Sequence, residues 1–184
     1  MPKKALIILA EGFEEIEALT PIDVLRRAEV EVVIAGLTGK TVRGSHGVRL
    51  AADLVLNEYK GEPDALILPG GMPGSANLGQ SKEVAGWIKK MADEGKMVAA
   101  ICAAPALVLA PTGILDGRKA TCYPGCERHF PSAVKFTQDR VCVDGNLITS
   151  QGPGSAFEFA LILAEHLAGR EKARTLREGM LVKG

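Results

Sequence analysis

The chain has 184 residues, 47% of them hydrophobic and 24% charged; this is the length of one domain and an ordinary globular composition, which excludes a disordered tail, a collagen-like fibre and a disulfide-dense mini-protein. Lys and Arg number 22, Asp and Glu also 22, so the formal net charge is zero. No basic excess exists to drive sequence-independent nucleic-acid binding, and aromatics at 4% argue against a stacking platform for single strands or sugars.

In chain order, Lys3 and Lys4 followed by Ala5 to Ala10 begin like a signal peptide. The apolar run stops at Glu11, short of the roughly 7–15 residues of a signal core, and no cleavage site follows. It is read as a first buried strand, continuously apolar because both faces are covered. Glu14 to Ala28 has helical spacing through Ile16, Leu19, Val24 and Leu25, with Pro21 expected to kink or break it. Val30 to Leu37 reads as the next strand. Thr38 to Glu58, with glycines at 39, 44 and 47, reads as a hairpin-like excursion. Ala65 to Leu68 is another buried strand, ending in Pro69-Gly70-Gly71. Ser81 to Glu94 forms an amphipathic helix, Ser81 its N-cap and Val84, Ala85, Ile88 and Met91 facing inward.

Met97 to Leu115 carries no charge and passes a simple membrane-span length test. Pro105, Pro111 and Gly113 interrupt it, however, so the prediction is a buried strand to Ile101 and a helix from Ala104 to Ala110. Val141–Val143 and Leu147–Thr149 flank Asp144-Gly145-Asn146, a short-hairpin signal. Ser155 to Leu167 reads as a buried helix, and Lys172 to Leu181 closes the chain. Short apolar runs alternating with helical patterns mark βαβ units. The expected architecture is a single domain over 1–184, an α/β three-layer sandwich with a mostly parallel sheet and helices on both faces. Its ligand crevice belongs at the carboxyl ends of the strands, where Glu11 to Glu14, Pro69 to Met72 and Ile101 to Ala104 emerge.

Cys102 stands at the junction of strand and helix, between Ala100 and Ala104, with Pro105 in the first helical turn. This is the layout of a nucleophile elbow. A thiol at a helix N-terminus is expected to have its pKa lowered, for example from about 8.5 to about 5.5; a small buried hydrophobe is the alternative reading. Gly70 and Gly71 can turn backbone N–H groups into the crevice as an oxyanion hole, with the N–H of Ala103 as a further donor. Gly70, Gly71 and Gly74 fail the dinucleotide-binding register, so no nucleotide is implied. Glu11, Glu14, Glu15 and Glu17 crowd the first strand–helix junction, where a carboxyl held in an apolar crevice would exchange protons near neutrality. His46, His129 and His166 are the three imidazoles, and no local motif pairs one with Cys102. The spacing of Cys102, Cys122, Cys126 and Cys142 is not that of a secreted disulfide framework. Cys122 and Cys126 with His129 supply three metal ligands but no obvious fourth, and Pro124-Gly125 between them reads as a turn.

Five strings, in this order, resemble the ThiJ/PfpI superfamily in its DJ-one and YajL branch: Leu9-Ala10-Glu11-Gly12-Phe13-Glu14-Glu15-Ile16-Glu17, Val24-Leu25-Arg26-Arg27-Ala28, Leu68-Pro69-Gly70-Gly71, Ala99-Ala100-Ile101-Cys102-Ala103-Ala104-Pro105 and Thr149-Ser150-Gln151-Gly152-Pro153-Gly154. The resemblance spans essentially the whole chain. It implies a flavodoxin-like fold, Cys102 as the reactive residue, Glu17 as the glutamate at its thiolate, and the backbones of Gly71 and Ala103 as oxyanion donors. It further implies a homodimer in contact near the helix from Glu17 to Ala28 and chemistry with no cofactor or metal, while composition, charge balance and the short N-terminal apolar run point to a cytoplasmic domain with no specific nucleic-acid or membrane partner. The implied activity is glutathione-independent glyoxalase chemistry on reactive dicarbonyls, methylglyoxal to lactate, together with a deglycase-like action. Oxidative-stress sensing and chaperone behaviour through the same cysteine belong to the same family, as does a PfpI-like peptidase or amidase activity.

Two departures matter. Where the DJ-one branch has a histidine near the cysteine, this chain reads Thr121-Cys122-Tyr123-Pro124. A phenol cannot act as a base in place of imidazole at neutral pH, which disfavours a Cys–His peptidase and places the chain nearer the YajL-like members. Where the animal proteins have a Ser-Arg segment at the pocket, the chain has Ser45-His46, leaving Arg27 as the expected anion contact and His46 as a second candidate.

Overall fold

Strand β1 (Lys4–Leu9) is buried from Ala5 onward because strands flank it on both edges and helices cover both its faces. The computed structural model describes residues 2–182. Around β1 the main sheet has seven strands in the order β10-β11-β7-β6-β1-β2-β5. These are β2 (Glu31–Gly36), β5 (Leu54–Val55), β6 (Ala65–Leu68), β7 (Met97–Ile101), β10 (Val141–Asp144) and β11 (Leu147–Ser150). Every pairing is parallel except β10 with β11, and the register sets Ile7 against Ile34 and Ile67. The excursion predicted at Thr38–Glu58 is an antiparallel hairpin, β3 (Thr41–Arg43) with β4 (Arg49–Ala51). A two-stranded pairing of β8 (Lys119–Ala120) with β9 (Lys135–Phe136) had no signal in the sequence.

Alternation along the strands divides the core. Ala5, Ile7, Leu9, Ile67 and Ala99 pack toward helices α1 (Glu15–Arg27) and α4 (Ala156–Ala168), with Ala173 of α5 (Arg170–Gly179) joining that layer. Leu6, Ile8, Leu66, Leu68 and Val98 pack toward α2 (Gly74–Gln80), α3 (Lys82–Asp93) and the turn at Pro105–Leu109. The result is the expected three-layer sandwich with a mostly parallel sheet. Ser81 caps α3 as expected, its hydroxyl accepting the N–H of Val84 at 3.3 Å.

Three local expectations change. Helix α1 continues through Pro21 to Arg27 instead of ending there. Helix α2 was not foreseen, since Gly74, Ser75 and Gly79 are poor helix formers. The helix expected from Ala104 to Ala110 is a single π-helical stretch, Pro105–Leu109, followed by a 3-10 turn at Ala110–Thr112 that Gly113 closes at φ +81°. Among the described residues no helix is long and apolar enough to cross a membrane.

Candidate active site

The carboxyl ends of β1, β6 and β7 meet at a close crossing. Gly71 adopts φ +92°, and a Cβ there would lie 2.5 Å from the carbonyl oxygen of Gly12. Gly12 in turn, at φ +85°, faces Pro73 and Gly74 so closely that a Cβ would collide with both. Glycine is therefore required on both sides of the contact, and the peptide between Met72 and Pro73 is cis.

Helix α1 begins at this crossing. Glu14 is its N-cap: one carboxylate oxygen accepts the N–H of Glu17 at 2.8 Å, and its own N–H donates to the carbonyl of Gly70 at 2.9 Å. One turn in, the Glu17 side chain is fully buried. Its Oε2 accepts the N–H of Gly70 at 2.9 Å, whereas Oε1 is buried without a hydrogen-bond partner. Burial raises the Glu17 pKa and the charge of Glu14 adds to the rise, while the Cys102 thiol and the Gly70 N–H pull it down; the result is about 7. A carboxyl of this pKa can both take and give a proton at neutral pH.

Cys102 follows β7 with φ +66°, a left-handed conformation that costs a non-glycine residue about 1–3 kcal/mol. Two backbone bonds hold it there: its N–H donates to Ser150 at 2.9 Å, and its carbonyl accepts from Tyr123 at 2.8 Å. The elbow layout read from the sequence is thus present. Backbone N–H groups of Ala103 and Gly71 favour the thiolate, but burial, the charge of Glu17 and the hydrogen bond to Glu17 push the thiol above its ordinary value. This reverses the expected depression. The helix after Cys102 is one short π-helical stretch rather than a long dipole, and a buried carboxyl faces the sulfur. The two acids are coupled, each shifting the other's proton affinity.

Gly70 holds Glu17 in place, so of the two glycines it is Gly71 whose N–H serves the sulfur. His46 is exposed, with Nδ1 3.0 Å from Oε2 of Glu15 and 3.9 Å from Oε1 of Glu14. Glu15 also accepts the backbone N–H groups of His46 and Val48 and the hydroxyl of Ser45, at 2.8, 3.3 and 3.3 Å. Burial opposes its charge, yet these bonds prevail and its pKa is lowered. Glu15 thereby pins the β3–β4 hairpin to α1.

Arg27 stands apart from this cluster within the chain. It lies ten residues beyond Glu17, about 15 Å along the helix, where its Nε pairs with Asp23 at 2.7 Å. Within one chain it is not an anion contact for Cys102. His129 accepts a bond from Arg128 and His166 meets the carbonyl of Ile162; both are exposed, and neither partners Cys102.

Among the described residues, Glu14, Glu15 and His46 bring metal-ligating atoms within 4.8 Å of one another. The set fits a metal poorly, because both oxygens of Glu15 and one of Glu14 already accept hydrogen bonds. Cys122, Cys126 and His129 do not gather that closely. A hollow of about 150 Å³ opens beside the site, with Tyr123, Pro124, Arg140, Gly152 and Pro153 in its wall. Gly152 sits between the Tyr123 ring and Glu17: a Cβ on it would be 3.2 Å from Tyr123 Cδ2 and 3.9 Å from Glu17 Oε1. The roles of Glu14, Ser150 and Tyr123 were not read from the sequence, since each acts through a backbone bond or charge that no local pattern announces.

A model of the DJ-1/PfpI family matches residues 3–166. Protein dj-1beta of Drosophila melanogaster is 43% identical over 185 residues, covering 99% of this chain and 98% of that protein. The crystal structure of Drosophila melanogaster DJ-1beta superposes with a TM-score of 0.96 at 42% identity and 100% coverage of both chains. A Caenorhabditis elegans protein named glutathione-independent glyoxalase DJR-1.2 is 37% identical, covering 95% of this chain and 94% of that one.

Proposed function

The chain belongs to the DJ-1/PfpI family, and from that premise we propose that it is a cysteine-dependent enzyme converting α-oxoaldehydes to hydroxy acids without glutathione. The observation that carries this reading is the buried Glu17 carboxyl, raised to about 7 and coupled to the Cys102 thiol. A C–H proton must leave one carbon and arrive at the next, and a carboxyl at this pKa is matched to both steps.

With methylglyoxal, the Cys102 thiol passes its proton to the Glu17 carboxylate as sulfur bonds to the aldehyde carbon. The N–H groups of Gly71 and Ala103 stabilise the oxyanion that forms beside the sulfur, and Glu17 returns the proton to that oxygen to complete a hemithioacetal. Glu17 then removes the hydrogen of the former aldehyde carbon and delivers it to the former ketone carbon through an enediol, while the hemithioacetal hydroxyl proton passes to the former ketone oxygen, giving a lactoyl thioester. Water cleaves the thioester, releasing lactate and restoring the thiol. The sum is methylglyoxal plus water to lactate, with no cofactor consumed. The deglycase-like reaction begins with the same pair acting on a carbonyl adduct. We place the activity in the cytoplasm, in a homodimer whose second copy covers the exposed Ile16 and Leu19 of α1.

Protonated Glu17 beside the sulfur also supports a second reading, oxidative-stress sensing, because its O–H can hydrogen-bond a sulfinate oxygen on Cys102. A peptidase reading lacks support: among the described residues no imidazole bonds to Cys102. The test is turnover of methylglyoxal without added glutathione, run beside peptide cleavage and suppression of aggregation. Lactate formation that disappears in Cys102→Ser supports the enzyme; aggregation suppression without lactate removes it.

A further inference from the structure

Cys122 and Cys126 play no part in that chemistry, yet they bracket the segment that touches Cys102. Tyr123 to Cys126 form a β-turn, closed by the N–H of Cys126 donating to the carbonyl of Tyr123 at 2.9 Å. Pro124 takes the second position, and Gly125, at φ +93° and ψ −16°, takes the third, as in a type II turn. Such a turn folds the chain back on itself, so that Cys126, its last residue, returns toward Tyr123 and toward Cys122 just before it. The Cys122 thiol accordingly feels the charge of Cys126. Cys122 is buried while Cys126 is partly exposed, so solvent reaches one member of the pair. Burial pushes the Cys126 thiol up, and the neighbouring Arg128 opposes that rise.

We propose that Cys122 and Cys126 are a dithiol modification site, converted by a hydroperoxide to a disulfide across the Tyr123 turn. The thiolate of Cys126 attacks the O–O bond, becomes a sulfenic acid and releases an alcohol, or water from hydrogen peroxide. The sulfur of Cys122 then attacks the sulfenic sulfur; the S–S bond forms, and the Cys122 proton leaves with the displaced hydroxide as water. The two thiols lose two electrons and the peroxide gains them. A dithiol reductant reverses the change.

The turn is wired to the site. The N–H of Tyr123 donates to the carbonyl of Cys102, and its ring lies against Gly152, with Glu17 on the other side. Locking Cys122 to Cys126 fixes both the wall of the hollow and the Tyr123 N–H that holds the Cys102 carbonyl. This second consequence rests on the reading of Cys102 as the reacting group; the disulfide does not.

The experiment uses the full chain carrying Cys102→Ser, treated with hydrogen peroxide and analysed by intact mass and peptide mapping. Expected are a loss of two hydrogens, a linked Cys122–Cys126 peptide and recovery with dithiothreitol. None should appear when Cys126→Ser is added. Oxygen addition at Cys126 without linkage, linkage to Cys142, or an unmodified pair overturns the proposal. In the chain with Cys102 intact, the disulfide-forming oxidant diamide should change methylglyoxal turnover by roughly threefold or more, reversibly, and Cys126→Ser should abolish that response. If the mapping finds the disulfide but the untreated chain has no turnover, the enzymatic reading fails and the modification site stands.

Discussion

The N–H of Gly70 donates to Oε2 of Glu17 at 2.9 Å, joining residues 53 positions apart in the chain. This bond fixes the carboxyl against β6 and leaves Oε1 without a hydrogen-bond partner beside the Gly152 backbone. Gly70→Ala tests the arrangement, because its Cβ would sit 2.5 Å from both Glu17 Oε2 and the Cβ of Cys102. Both neighbours are buried parts of the site and must move. Overpacking of this kind costs about 1–3 kcal/mol, so denaturant unfolding should show that loss. Turnover should fall with it even at temperatures where the variant is fully folded. A stable, fully active Gly70→Ala would show that the carboxyl position is not critical.

Glu17→Gln keeps an oxygen for the Gly70 N–H but cannot carry a proton. Positioned acid–base catalysis contributes about 10²–10⁴-fold, and methylglyoxal turnover should drop by that order. Alkylation of Cys102 by iodoacetamide should stay within about tenfold of wild type, since the variant removes a charge that disfavours the thiolate. In the unsubstituted chain, kcat/KM should rise between about pH 6 and pH 8, as a carboxyl with a pKa of about 7 becomes a base. A profile flat across that range, or an active Glu17→Gln, would displace Glu17 from the proton transfer.

The same carboxyl makes stability depend on pH. Its pKa is raised on folding from 4.5 to about 7 by burial, so the folded chain binds the proton more tightly than the unfolded one. The associated stabilisation is complete below about pH 4.5 and is lost as pH rises through about 7. Its full span is on the order of 3 kcal/mol. Glu17→Gln lacks this dependence, and its melting temperature should exceed that of the parent at pH 8, with the gap closing toward pH 5. A gap that widens toward low pH would reverse the assignment.

Where burial makes a segment uniformly apolar, the fold was legible: Ala5–Leu9 and Ala65–Leu68 lie in the middle of the sheet. Helix α3 was legible from Ser81 and the spacing of Val84, Ile88 and Met91. Helix α2 was not, because its small residues serve contacts made elsewhere. Gly79 lies against the carbonyl of Leu107 and Gly74 against Gly12, and that tertiary packing overrides weak helix propensity. At the site, the turn at Cys102 could be read locally. The direction of its pKa could not, since that depends on burial and on Glu17 from a different strand–helix junction.

Arg27 and Asp23 are half-exposed partners one helical turn apart, and such pairs contribute at most about 0.5 kcal/mol. Arg27→Ala should therefore unfold within about 0.5 kcal/mol of the parent and retain its turnover. Full stability with a large rise in KM would show that an arginine reaches the pocket from a second copy of the chain.

Cys102 should be the first residue to gain oxygen from peroxide, although burial raises all four thiols. What distinguishes it is the set of groups that stabilise a charged product. Gly71 and Ala103 direct N–H groups at its sulfur, and Glu17 stands ready to take its proton. Cys122 has no such donors and is pushed up to about 12 by burial and by the charges of Cys126 and Glu127. Cys142 is buried on β10. Two equivalents of hydrogen peroxide followed by peptide mass spectrometry should place the first sulfinic acid on Cys102, by way of its sulfenic acid, and leave Cys142 unmodified. Glu17→Asp should slow that oxidation, because the shorter side chain draws the proton acceptor back from the sulfur while keeping its charge. His46→Ala and His129→Ala should leave it unchanged, since those imidazoles bond to Glu15 and Arg128 instead. Oxygen appearing first on Cys142 or on the Cys122–Cys126 pair, or a slow phase in either histidine variant equal to that of Glu17→Asp, would show that a different group activates sulfur in this chain.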